Sequence, residues 1–287
     1  MSGQTRAPSL RDRGRPRAGR SSILAFLAPV LLIAGCASTN VGPPAEASAS
    51  DQQLPTLAPP SSAPSSSGPT AEPASAAPTK APPTTGAIDP ANFTSTIDNP
   101  WFPLTPGTTF TYKGTKDDRK AVETFAVTKS TKVIAGVTCV VVDDRVSLGG
   151  VPTERLLGYY AQDRAGNVWY FGEDMLELDS NGNVVGTAGS WHAGLDKAPP
   201  ALYMEASPTI GRIFAHNYTK NDFAVVGLAE TVTVPYGSFT ALVTKEWSPL
   251  EPAVETRKYY VRGLGAVRDV ATKGPLEELV LVSVQHS

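Results

Sequence analysis

From about Ile88 to Ser287 the chain alternates apolar and polar side chains with a period of two, and turn residues repeatedly interrupt that alternation. Thr109-Phe110-Thr111-Tyr112, Thr231-Val232-Thr233-Val234 and Phe239-Thr240-Ala241-Leu242-Val243 each put their apolar or aromatic residues on one face of a strand. Turn chemistry separates such runs at Ala165-Gly166-Asn167, Ser180-Asn181-Gly182-Asn183, Pro235-Tyr236-Gly237 and Gly263-Leu264-Gly265. No long stretch carries helical periodicity. About a dozen short strands at this spacing predict a mainly β fold, an antiparallel meander forming a curved sheet or half-barrel.

The same region repeats itself weakly. Gly107-x-x-Phe110 recurs as Gly211-x-x-Phe214, the strand entered by Gly136 recurs as that entered by Gly237, and Tyr159-Tyr160 recurs as Tyr259-Tyr260. The order is kept and the offsets are all about one hundred residues, which predicts two tandem similar halves over about 100–190 and 205–287. Each half would be a meander with an incompletely covered face, and pairing the halves would bury both. Because single residues carry the match, chance recurrence among strands rich in Gly and Tyr is the alternative. Between the halves, Ser190 to Pro208 breaks the strand pattern, with Pro199-Pro200 followed by a candidate helical turn through Tyr203-Met204-Glu205. A connection of this kind serves either as a lid over a pocket mouth, bringing Trp191, His192 and Asp196 there, or simply as a linker.

Ahead of the β-rich region lies a segment that cannot build a core. Residues 36–87 are dominated by Ala, Pro, Ser and Thr and hold almost no large apolar side chains, so they are expected to form a disordered tether. Residues 1–35 have the order of an export signal. Arg6, Arg11, Arg13, Arg15, Arg17 and Arg20 precede an apolar run from Ile23 to Gly35, too short for a helix that spans a membrane. That run closes on Ile33-Ala34-Gly35-Cys36, which resembles the bacterial lipobox. The resemblance implies cleavage before Cys36 and lipid attachment to its sulfur. Two or more acyl chains such as palmitate then hold a protein stably at a membrane where one chain would not. The expected location is the extracytoplasmic face of the cell membrane, with residues 88–287 as the exported domain.

Removing the signal changes the charge that matters. The whole chain carries a formal net charge of −2, and its first 35 residues hold six Arg and one Asp, or +5, leaving −7 on the remainder. A nucleic-acid partner needs a basic face and is not expected. With Cys36 blocked, Cys139 lacks an intrachain partner, so no disulfide framework is expected. Its setting, Val137-Thr138-Cys139-Val140-Val141-Val142, reads as a buried strand with the thiol as a small core residue.

Catalytic sets fare poorly, and no catalytic residue, metal or cofactor is assigned. The three histidines, His192, His216 and His286, show no helical metal-ligand spacing. Ala188-Gly189-Ser190-Trp191-His192 lacks both glycines of a hydrolase elbow, and Asp179-x-Asn181-x-Asn183 reads as a hairpin turn before it reads as a calcium loop. Glu173-Asp174, Asp196, Glu205 and Glu246 lie near aromatics in the sequence, so paired carboxylates acting in an envelope hydrolase remain an alternative. Aromatic side chains on a concave sheet offer an apolar lining with polar tips. The ligand-binding candidates are therefore Trp101, Tyr112, Tyr160, Trp169, Trp191, His192, Asp196 and Tyr259. The expected activity is non-catalytic binding of an apolar or amphiphilic envelope ligand, such as a lipid or glycolipid. The other alternative is a structural or adhesive module on a stalk, meeting cell-wall polymer or a protein partner.

Val232-x-Val234-Pro235-x-Gly237-x-Phe239 followed by Tyr259-Tyr260-x-x-Gly263-x-Gly265-x-Val267 resembles the strand–turn–strand signature of bacterial half-barrel proteins of the TapB-like kind. In the first half, Tyr159-Tyr160-Ala161 matches only the start of the second element, and Asp163-Arg164 stands where the glycines belong. From Asn99-Pro100-Trp101-Phe102-Pro103 onward the chain also resembles uncharacterised secreted bacterial proteins. These resemblances imply an open β half-barrel in the cell envelope and supply no catalytic residue.

Overall fold

A computed structural model of the chain describes residues 79–80, 88–216 and 221–287. The signal segment, Cys36 and nearly all of the tether lie outside the described residues. What is described is almost entirely antiparallel sheet. Two short strands come first, β1 (Thr79–Lys80) and β2 (Phe93–Thr94). A five-strand meander follows: β3 (Thr108–Lys116), β4 (Arg119–Ile134), β5 (Val137–Leu148), β6 (Val151–Asp163) and β7 (Val168–Leu178). Three short pieces come next, β8 (Val184–Gly186), β9 (Trp191–His192) and β10 (Ala201–Met204). The chain ends in β11 (Arg212–His216), β12 (Asn221–Val234), β13 (Gly237–Ser248), β14 (Glu251–Val261), β15 (Gly265–Lys273) and β16 (Glu278–His286).

All sixteen strands belong to one curved sheet, whose path runs β1-β11-β12-β13-β14-β15-β16-β3-β4-β5-β6-β7-β10. The two meanders therefore join through their outer strands, with His286 paired to Thr108 and Glu278 to Thr115. The sheet stays open where β10 and β11 lie side by side without a ladder. Burial alternates along the strands, as in β3, where Thr108, Phe110, Tyr112 and Lys116 are buried and face the concave side. Side chains of both meanders fill a single core.

Corresponding places in the two meanders use the same local chemistry. Gly107 and Gly211 both take left-handed φ values, 89° and 80°, and each donates its N–H to the second strand of its own meander, at the Val127 and Val225 carbonyls. The register shifts beside Tyr159/Tyr160 in the β6–β7 pair and beside Tyr259/Tyr260 in the β14–β15 pair. Such bulges bend a strand and tighten the curvature of the sheet.

Two segments depart from the sequence expectations. Residues 190–208 are not unpatterned: their strands β9 and β10 pair along the free edge of β7 after β8 (Val184–Gly186), the three together forming a broken edge strand. A side chain at Gly172 would collide with the Trp191 carbonyl, so this glycine is what lets β9 dock. The helical turn expected at Tyr203-Met204-Glu205 is instead strand β10, since Pro199-Pro200 favours extended backbone and Tyr203 fills the core; the helical turn of the connection is the short 3-10 turn Leu195–Lys197. Within the segment read as a structureless tether, Thr79–Lys80 pairs in parallel with β11 at Arg212 and Ile213. Among the described residues no helix is long and apolar enough to cross a membrane.

Candidate functional site

The concave side divides into two zones. One is aromatic and sits under the segment 97–104, which plugs one end of the curved sheet. Gln162 Oε1 accepts from the Asp98 and Asn99 backbone N–H groups, Asn99 Nδ2 donates to the Gly166 carbonyl, and Gly263 N–H donates to the Pro100 carbonyl. These bonds place Phe102 against Phe125, Tyr160 and Tyr203, at ring centroid distances of 6.1, 5.6 and 4.5 Å. Between the plug, β3, β4 and the β14–β15 turn lies a cleft lined by Phe102, Phe110, Tyr112, Phe125, Leu264 and Ala266. The cleft is shallow and as it stands has room for about one water molecule. Trp101 is half-buried beside Phe102, and the exposed Arg262 guanidinium lies 5.7 Å from its ring centroid.

The second zone extends from the middle of the sheet towards the β3–β4, β5–β6, β13–β14 and β15–β16 turns, and it is ionic. Glu123, Asp144, Glu154, Glu173, Glu246 and Asp269 meet there with Lys116 and Lys258. Lys258 Nζ lies 2.9 Å from Glu246 and 4.0 Å from Asp269, and Lys116 Nζ lies 3.8 Å from Glu154. Burial would push the Lys258 ammonium down, but these neighbouring carboxylates outweigh it and hold the proton on. Burial pushes Asp144, Glu173 and Asp269 up to about 8, and Glu123 well above the usual carboxylate range. Glu173 Oε2 accepts from Tyr170 Oη at 2.6 Å.

The sequence-derived candidates scatter across this architecture. Tyr112 and Tyr160 are core residues, 1 % exposed each, and the Tyr112 hydroxyl donates to the Ala266 carbonyl. Tyr112 nevertheless forms part of the cleft wall, whereas Trp101 precedes the lining residue Phe102 in sequence and is not itself part of the lining. Trp191 is buried against Tyr170, with ring centroids 5.6 Å apart. Trp169 is half-buried on β7, packs edge-on with Phe93 and donates its indole N–H to Asp163 Oδ2. Tyr259 is buried under Arg268. Asp196 is exposed in the 3-10 turn. Of these candidates only Tyr112 lines the cleft.

His192 belongs to a separate cluster on the convex face. Asp174 accepts there from Tyr159 Oη at 2.5 Å, Lys132 Nζ at 3.0 Å and His192 Nε2 at 2.8 Å. Lys132 also donates to Tyr159 Oη at 3.0 Å. Tyr159 and Lys132 more than offset the burial that would raise the Asp174 carboxyl, and hold it below its usual range. Four strands, β4, β6, β7 and β9, each give one residue to this cluster. Donors and acceptors satisfy one another, so the cluster pins the short β9 onto the sheet and presents no activated nucleophile. Cys139 is fully buried nearby in sequence register with Lys132, and burial pushes its thiol up to about 12, far from a reactive thiolate.

Sequence reasoning passed over Lys116, Glu123, Asp144, Glu154, Lys258 and Asp269. Their signal was present: each falls on the inward parity of its strand, where an apolar residue is the rule.

No protein-family model matches the chain, so the half-barrel resemblance of residues 232–267 has no family match behind it. No curated protein matches the chain. Two solved structures resemble it in part. A protein from Bacteroides fragilis NCTC 9343, described as exported and as having a YmcC-like fold, is 17 % identical, with a TM-score of 0.36, over 64 % of this chain and 98 % of its own. A protein from Parabacteroides distasonis ATCC 8503, described as a lipoprotein, is 16 % identical, with a TM-score of 0.37, over 64 % of this chain and 97 % of its own. At this level of likeness neither lends a residue or an activity to the chain.

Proposed function

We propose that the protein is an extracytoplasmic lipoprotein, anchored through acyl chains on Cys36, whose β-rich head binds the apolar part of an amphiphilic envelope ligand without transforming it. The lipobox-like Ile33-Ala34-Gly35-Cys36 supports the anchor. The observation that carries the binding reading is the aromatic cleft of Phe102, Phe110, Tyr112, Phe125 and Leu264. Its lining is apolar, and Arg262 over Trp101 puts one positive charge beside the plug segment. An acyl or prenyl chain end would enter by displacing Leu264 and the side chains beside it, with an anionic headgroup towards Arg262.

The test uses the full, membrane-expressed chain. Native mass spectrometry and solvent extraction should find a non-covalent amphiphile on the wild type, and Leu264→Trp, which fills the cleft from its rim, should lose it while keeping the wild-type melting curve. A wild type that carries no such molecule, or a Leu264→Trp variant that retains it, removes the binding reading. Labelled fatty acid should enter the wild type and not Cys36→Ala; incorporation into both removes the anchor.

A further inference from the structure

The ionic zone holds six inward carboxyl groups, Glu123, Asp144, Glu154, Glu173, Glu246 and Asp269, against two lysines, Lys116 and Lys258. Fully ionised, it would bury a large uncompensated negative charge, which a protein interior does not tolerate. Something must neutralise the surplus, and two residues show where. Glu123 is 0 % and Asp144 2 % exposed, and none of their four carboxyl oxygens has a side-chain N–H or O–H donor from elsewhere in the described protein, the Arg145 backbone N–H beside Asp144 being the one donor nearby. Glu123 stands opposite Val146 on β5 and Asp144 opposite Phe125 on β4, so the two carboxyls are diagonal neighbours on the same face, within hydrogen-bond reach of one another. Two carboxylates cannot hydrogen-bond; a carboxylic acid and a carboxylate can.

A multidentate cation is the other way to neutralise such a pair. Among the described residues no group of three or more His, Cys, Asp or Glu side chains is arranged to hold one. We propose that Glu123 and Asp144 share a proton, and that this proton, with others on the neighbouring acids, makes the interior of the head a pH-sensitive lock. The acids adjoin the cleft through Tyr112 and Phe125, but the inference does not need a ligand there.

The charged and titratable groups facing the pair come from every strand around it. Lys116 and Tyr112 lie on β3, Glu154 and Tyr160 on β6, and Glu173 on β7. Across the interior, Lys258 lies on β14 and Asp269 on β15. Glu177, Glu277, Asp117 and Glu251 stand further out, towards the turns. The two lysines favour ionisation of the pair, while burial and the surrounding carboxyls oppose it.

The sign follows from linkage. Glu123 is held well above the carboxylate range and Asp144, Glu173 and Asp269 reach about 8, so the folded chain keeps protons that the unfolded chain has already released. Stability should therefore fall as pH rises from the ordinary carboxylate range, about 4, towards about 8, as these buried acids are forced to ionise. Glu123, held well above the carboxylate range, carries the decline beyond that window, and below it these groups contribute no slope.

Infrared difference spectra on the full chain in H₂O and D₂O at neutral pH should show the C=O stretch of a protonated carboxyl, and its intensity should drop in Glu123→Gln. Melting temperature should decline between about pH 5 and about pH 9, and Glu123→Gln and Asp144→Asn should each flatten that decline. Should neither variant fold, the wild-type spectrum and melting series still decide. No protonated-carboxyl band, a flat melting series, or a stoichiometric calcium ion seen by native mass spectrometry that raises the melting temperature at neutral pH would each overturn the proposal.

Discussion

The aromatic zone under the plug and the ionic zone towards the turns occupy the same concave surface, on alternate residues of the same strands, yet they are held together by different physics. Phe102 meets Phe125, Tyr160 and Tyr203 through ring contacts that no proton alters. Towards the turns, Lys258 lies between Glu246 and Asp269, and burial lifts the Asp269 carboxyl up to about 8. A single curved sheet thus contains a pH-indifferent end and a pH-responsive end. The contrast shows how one β interior can be indifferent to pH where a ligand would enter and responsive to it where none is needed.

The sharpest way to break this contrast is a pair of deletions, one in each zone, compared at two pH values. Phe102→Ala removes a 2 % exposed ring with three aromatic neighbours and should cost about 3–5 kcal/mol in denaturant unfolding. That cost should be the same at about pH 5 and about pH 8. Lys258→Met leaves Glu246 and Asp269 without their ammonium group and should cost about 3 kcal/mol near pH 8. Near pH 5, where Asp269 keeps its proton and no longer needs the lysine, the cost should shrink, and equal costs at both pH values would erase the distinction between the zones. The smallest effect belongs to the convex face. Lys132 is 37 % exposed in its ion pair with Asp174, so Lys132→Met should cost no more than about 1 kcal/mol, measured the same way. A larger loss would mean that the convex cluster bears on the core as well as on β9.

Much of the sheet was legible residue by residue. The turns at Gly166, Gly182 and Leu264 connect paired strands or strand pieces, because positive-φ glycine and Asx geometry are local properties, and the turn at Tyr236 joins β12 to β13 without either. Asp179, considered as the start of a calcium loop, instead accepts from the Asn181 and Asn183 backbones and closes a hairpin turn. The candidate site was much less legible. Tyr112, Tyr160, Trp191 and Tyr259 look alike to composition, and only packing turns Tyr112 into a cleft wall while burying the rest. His192 was singled out, but its partners Lys132, Tyr159 and Asp174 lie 60, 33 and 18 residues away in sequence and meet it only because β4, β6, β7 and β9 are neighbours. The ionic zone was missed because each acid reads singly as a solvated edge residue, and its meaning appears only when strand parity turns it inward.

Alone, the amino-acid order determined the β architecture, the turn positions, the recurrence of Gly and Tyr about one hundred residues apart and the chemistry available at Cys36, since these follow from backbone preferences and side chains close in sequence. The tertiary structure decided that β16 joins β3, that 190–208 becomes part of a broken edge strand, and that six carboxyls and two lysines share one interior. Those outcomes depend on which distant strands become neighbours, and the free energy of a buried charge is set by neighbours in space, which a one-dimensional pattern does not contain.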